Sequence, residues 1–177
     1  MDTWTGLGAN PNRVWLSKLG VRPYPYKFDE FASWDRTLCF SQIVDRKRQY
    51  LLEDIDTVDF MGRMEFGGKF DGKNKNYKGE VVREKLNDFI TCYSNIALLS
   101  EVENTTPLVI KEGLICGLGV VCSESKINNI DYILNVIENN KKVSKQHRKE
   151  IREYGINQFG LENILAYEYI PKLQSLL

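Results

Sequence analysis

The sequence predicts a three-layer α/β sandwich, a mainly parallel sheet with helices on both faces. Three observations carry that expectation. Short apolar runs alternate along the chain with helix-like segments, the order that builds parallel sheets through crossovers. The runs are continuously apolar, as strands covered on both faces should be. The chain has 177 residues and is 42% hydrophobic and 27% charged, enough apolar material for one real core.

Taken in order, residues 1–34 read as an extended connector. Val21-Arg22-Pro23-Tyr24-Pro25-Tyr26 carries two prolines that fix φ and remove donors, and Tyr24, Tyr26, Phe28 and Phe31 are expected to hold it on the surface. Thr37–Ile43 is the first strand, and Asp45–Asp54 follows as a short helix. Val58–Gly62 is the second strand, ended by glycine, and the polar 67–76 stretch is a loop. Val82, Leu86, Phe89 and Ile90 recur at helical spacing, so 81–92 is an amphipathic helix. Asn95–Ser100 is the third strand. Thr106 suits an N-cap, Pro107 the first helical position and Gly117 the place just past the end, which frames a helix over 107–116. Gly119–Ser123 is the fourth strand. Ile127, Ile130, Ile133, Leu134 and Ile137 mark a helix that Asn139-Asn140 should stop. The tail is helical over 144–154 and 161–177, with Pro171 kinking the last segment.

Composition removes several classes. The 24 Lys and Arg balance 24 Asp and Glu, so a nucleic-acid partner is not expected. No apolar run reaches the ~20 residues that span a bilayer, and no signal peptide is evident, so nothing supports a membrane partner and a cytoplasmic location is expected. Cys39, Cys92, Cys116 and Cys122 form no CxxC pair and His147 is the sole histidine, so no metal site is expected. Three of the cysteines sit in apolar runs and read as small core residues of a reduced protein.

Ligands of open parallel sheets bind beyond the carboxyl ends of the strands. The segments at those ends are 42–47, the residues from Gly62 on, 100–107 and 123–126. Ser100 to Val121 is the richest in chemistry: a strand runs into the acidic loop Glu101-Val102-Glu103, then a helix bearing Glu112, then glycines and a strand. Unpaired amides and the macrodipole at a helix start favour an anion, and a nearby carboxylate can accept both hydroxyls of a ribose. Together these make a seat for a nucleoside diphosphate.

The stretch Pro107–Val121 resembles the donor-site signature of retaining GT-B glycosyltransferases of the group-1 family. Ser41–Gln49 is similar to the first strand and loop of their donor domain, and Tyr77-Lys78-Gly79-Glu80-Val81 to the turn flanking the nucleotide base. The resemblance runs from about Thr37 to the C-terminus. It implies a Rossmann-like domain over 35–177, one GT-B half, that binds a nucleotide-diphosphate sugar as donor substrate and needs no cofactor. It places Glu112 on the ribose hydroxyls and Lys47 on the phosphates, with Gln42 where the family has arginine. Thr106, Pro107 and Leu108 fall at the diphosphate, Glu80 and Val81 at the base, and Asn104 and Thr105 are also donor-binding. Lys47 and Glu103 are the implied catalytic residues, Glu103 facing the donor sugar. Eight residues separate Glu103 from Glu112, one more than the family pattern, so Asn104 is the alternative occupant. The implied partners are the nucleotide sugar and an acceptor-binding domain outside these residues. A non-catalytic nucleotide-binding or assembly module lacking the acceptor half is the second reading.

Overall fold

The structure is a computed structural model. It describes residues 20–23, 26–32, 34–65, 67–101, 107–122 and 129–175. Its sheet has four strands: β1 (Thr37–Phe40), β2 (Val58–Met61), β3 (Asn95–Leu98) and β4 (Gly119–Cys122). All neighbours are parallel, in the order β2-β1-β3-β4. The helices are α1 (Arg83–Phe89), α2 (Leu108–Ile115), α3 (Ile130–Phe159), α4 (Leu161–Ile164) and α5 (Ile170–Gln174). The fold is the expected Rossmann-like α/β sandwich.

Alternation of side chains across each strand builds two cores. On one face Leu38, Met61, Ile96 and Leu98 meet Leu86 and Ile90 at α1 and Val109, Ile110 and Ile115 of α2. On the other, Cys39, Val58, Phe60, Ala97, Leu99 and Val121 meet Ile133 and Ile137 of α3, with Leu52 and Phe70. Both faces are covered by apolar side chains, which is why the strands read as unbroken apolar runs.

Several local expectations are corrected. The segment after β1 is two 3-10 turns, Asp45–Lys47 and Gln49–Leu52, not one helix, because Arg48 between them is left-handed at φ 54°. Pro107 caps α2 with an extended ψ of 146° instead of occupying its first turn; its fixed φ of −61° suits either role. At the other end Gly117 takes φ +76°, and its N–H and that of Leu118 donate to the carbonyls of Leu114 and Gly113, a Schellman ending.

Asn139-Asn140 does not stop the helix, since α3 runs 30 residues. The Asn140 amide donates to the Val120 carbonyl at 2.6 Å and that of Asn139 to Asn135 at 2.6 Å, so both side chains are satisfied from within a helix. The buried stripe continues past Ile137 through Lys141, Ser144 and Arg148. Arg148 is 2% exposed and donates to the carbonyls of Asp29, Tyr93 and Thr91. A local break at His147, φ −128°, precedes it. Before Pro171 the chain winds into a π-helical turn over Leu165–Tyr169, which absorbs the missing N–H.

The arm ahead of β1 is only partly on the surface. Val21 bridges Gly160, and Val21 and Tyr26 are each 4% exposed, whereas Phe31 is 72% exposed. Phe28 lies 4.8 Å from the Arg152 guanidinium. Residues 1–19, Tyr24 and Pro25 lie outside the described residues. Cys39 and Cys116 are buried, and burial pushes both thiols up to about 12. Cys92 is half-buried, and Cys122 is exposed rather than a core residue. All four are free.

The crossing of α3 over α2 depends on Gly155, where a Cβ would lie 2.7 Å from the Leu114 carbonyl carbon and 2.8 Å from the Ile115 nitrogen. Gly155→Ala is expected to lose about 1–3 kcal/mol despite alanine's better helix propensity, because backbone cannot move aside as a side chain can. A urea titration reads the loss as a lower midpoint with unchanged slope.

Candidate functional site

In the strand order β2-β1-β3-β4 the chain first steps from β1 to β2 and then crosses to the other side of β1. The switch point therefore lies between β1 and β3, the place where open parallel sheets form a binding crevice. The loop after β1 is built against it. Arg48, 1% exposed, donates from Nε to the Leu99 carbonyl at 2.5 Å, and the Glu101 N–H donates to the Arg46 carbonyl at 2.9 Å. Gln49 donates from Nε2 to Ser41 Oγ at 2.8 Å and to the Gln42 carbonyl at 3.0 Å. Lys47 sits half-buried on the turn these bonds close. Two buried atoms at this junction, Gln49 Oε1 and Ser100 Oγ, have no hydrogen-bond partner among the described residues. Such atoms are uncommon in native interiors.

Beside the loop lies a cleft of 360 Å³ lined by Phe40, Ser41, Gln42, Gly62, Arg63, Glu80 and Val81. It gathers three of the expected site residues, Gln42, Glu80 and Val81. Gly62 makes the close approach possible. Its φ is +138°, and a Cβ there would lie 2.0 Å from the Ser41 carbonyl oxygen. Its N–H donates to Gly79, and its carbonyl accepts from the Tyr77 hydroxyl at 3.0 Å, which fixes the 77–81 turn over the cleft.

Across the switch point α2 follows β3. Pro107 and Leu108 open it, Leu108 being 37% exposed. Glu112 is not on a solvent-facing surface: it is 3% exposed, and its Oε1 accepts from the Tyr26 hydroxyl at 2.8 Å. Desolvating a carboxylate is costly unless it is hydrogen-bonded. Tyr26, from the connector arm, supplies such a bond. Glu103, Asn104, Thr105 and Thr106 lie outside the described residues. The sequence put the residues from Gly62 on at a strand end without naming Arg63, and marked Tyr26 as a surface anchor rather than as a partner of Glu112. Their only signals are that Arg63 follows the glycine ending β2 and that Tyr26 lies in a proline-rich aromatic run.

A second cleft, of 410 Å³, lies lower along β2 and shares no lining residue with the first. Its polar wall is Asp59, paired bidentately by Arg36 at 2.7 Å in each bond, accepting from the Tyr93 hydroxyl at 3.1 Å and facing Lys78 at 3.5 Å. Burial alone would raise the Asp59 carboxyl; the Arg36 bonds and charge, the Tyr93 bond and Lys78 outweigh it and hold the carboxyl below its ordinary value. Among the described residues no group of three or more His, Cys, Asp or Glu is placed to hold a metal ion, and no helix is long and apolar enough to cross a membrane.

No family model matches the chain, and no curated protein matches it by sequence. Solved structures do match by fold. HepE of Anabaena in complex with UDP superimposes with a TM-score of 0.70 at 15% identity, over 99% of this chain and 61% of HepE. HepE with UDP and glucose gives 0.71 at 14% identity, over 99% and 60%. AviGT4, a glycosyltransferase of avilamycin A biosynthesis, gives 0.65 at 15% identity, over 96% and 59%. The chain thus spans about three-fifths of the length of these proteins.

Two outcomes are expected. Tyr26→Phe leaves Glu112 short of a buried hydrogen bond and lowers stability by about 1–3 kcal/mol in denaturant titration. The Asp59 carboxyl is held below its unfolded value of about 3.9, so its stabilisation is complete above that pH and is lost as pH falls through the lower native value. Thermal melts of Asp59→Asn should accordingly be lower than wild type at pH 7 but fall less steeply between pH 5 and pH 2.

Proposed function

We propose that this chain is a donor-binding half of a GT-B glycosyltransferase and binds a UDP-sugar across the β1–β3 switch point for transfer with retention. The observation that carries the reading is convergence. Gln42, Glu80 and Val81, which the family resemblance places at the donor, line one cleft, and the Lys47 loop beside it is bonded to the end of β3. The fold match to HepE structures that contain UDP supports the nucleotide class.

In this account the base lies in the cleft against Gly62 and Val81, under the turn that Tyr77 secures. The diphosphate lies between Lys47 and the start of α2, where the amides following Pro107 and the helix dipole favour negative charge. Pro107 itself has no N–H to give. Glu112 accepts from the ribose hydroxyls, with Tyr26 fixing its rotamer. As the glycosidic bond breaks, the anomeric carbon gains positive character and the departing diphosphate gains negative charge. Lys47 and the α2 amides stabilise that charge, and the carboxylate of Glu103, or the amide of Asn104 in its place, faces the sugar. Retention places the acceptor on the face the diphosphate leaves, and that acceptor is held by a domain beyond these residues. A module that binds the nucleotide sugar without transferring it uses the same contacts, and turnover of labelled UDP-glucose distinguishes the two.

Calorimetry with UDP tests the reading, with one-site binding expected. Glu112→Gln should weaken binding by roughly 1–3 kcal/mol, the scale of a lost charged hydrogen bond. Lys47→Met should weaken UDP more than uridine. Absence of saturable UDP binding by a folded chain rejects the proposal.

A further inference from the structure

We propose that the second cleft, along the β2 edge, is a binding site for a small aromatic carboxylate, separate from the nucleotide site. Its 410 Å³ falls in the range of small-molecule pockets. Trp34, Met61, Phe89 and Tyr93 form its apolar wall, and Arg36, Asp59 and Lys78 its polar one. This division, an apolar body with a few convergent polar groups, is what orients a small ligand.

The backbone behind the aromatic wall is anchored. The Trp34 backbone N–H donates to the Cys92 carbonyl at 2.8 Å, and the Trp34 backbone carbonyl accepts from Ser94 Oγ at 3.0 Å. Its ring stands perpendicular to that of Tyr93 with centroids 5.0 Å apart, and the residue remains 42% exposed. That exposure leaves aromatic surface for a flat ligand.

The polar wall sets the charge of that ligand. Asp59 is engaged by Arg36 and by the Tyr93 hydroxyl, so it has little left to offer a cation. Arg36 and Lys78 bring two positive charges against its one negative charge. The Lys78 ammonium stands 3.5 Å from the carboxylate and 3.3 Å from the Lys75 carbonyl, its side chain 42% exposed. It can turn toward an anion without breaking the shorter Arg36 pair. A carboxylate on Lys78 with its ring between Trp34 and Phe89 satisfies both walls.

The site exists because β2 is the sheet's edge strand and α1, over Leu86 and Ile90, packs against the core beside it. Beyond β2, among the described residues, the 76–79 segment pairs with it through one bridge, Phe60 to Tyr77, and the flanking backbone bonds. Asp59 and Met61, both buried on the α1 face of β2, form the floor of the cleft.

Titration of the full chain with 2-naphthoate, followed by calorimetry and tryptophan fluorescence, tests this. One saturable site is expected, unaffected by saturating UDP, with quenching lost in Trp34→Phe. Lys78→Met should weaken binding roughly fivefold or more, Lys78→Arg should restore it, and neutral 2-naphthamide should bind about as weakly to wild type as the acid binds to Lys78→Met. Absence of saturable binding, equal affinity for acid and amide, or displacement by UDP overturns the proposal. Displacement would assign the cleft to the nucleotide site and leave the donor reading standing.

Discussion

The carboxyl end of the sheet is organised by one buried guanidinium. Arg48 is 1% exposed and donates to the carbonyl of Leu99, just past the last residue of β3. A desolvated cation has to keep its partners, so the loop leaving β1 is not free to move away from β3. The backbone accepts a left-handed Arg48 at φ 54° to keep that contact. Non-glycine residues rarely adopt this conformation, and surrounding structure has to hold it. The consequence is geometric: Lys47, immediately before Arg48, is fixed at the switch point where a crevice must open.

The same logic runs through the rest of the molecule. A parallel sheet buries both faces, so its edges and ends carry the polar chemistry. Arg148 ties α3 to the arm at Asp29 and to the turn before β3 at Thr91 and Tyr93. Tyr26 ties that arm to Glu112 on α2. Tyr26 and Asp29, ahead of β1, are therefore joined to α2 and α3 by polar bonds across more than eighty positions of sequence.

Much of the fold is legible without coordinates. Strand positions, their parallel order of appearance, the Gly117 ending and the disturbance before Pro171 follow from apolar runs and backbone chemistry. What was hidden is polar. The buried stripe of α3 passes from Ile133 and Ile137 to Lys141, Ser144 and Arg148, so a hydrophobic period ends at Asn139 although the helix does not. The two 3-10 turns escape because Arg48 has neither glycine's nor asparagine's reputation for left-handed backbone. At the site, Gln42, Glu80 and Val81 were legible as a motif and meet in one cleft. Arg63 and Tyr26 were not, since their roles come from long-range packing that no local pattern encodes. The 410 Å³ cleft was likewise invisible, because it is a gap between elements rather than a property of any of them.

The proposed donor site stands or falls on a nucleoside diphosphate at the junction of the β1 loop, the 77–81 turn and the start of α2. A crystal structure of this chain with UDP decides it. The base is expected against Gly62 and Val81, the diphosphate between the Lys47 ammonium and the backbone after Pro107, and the ribose hydroxyls on Glu112. A UDP molecule seated elsewhere, with Glu112 still sealed from it, would overturn the proposal.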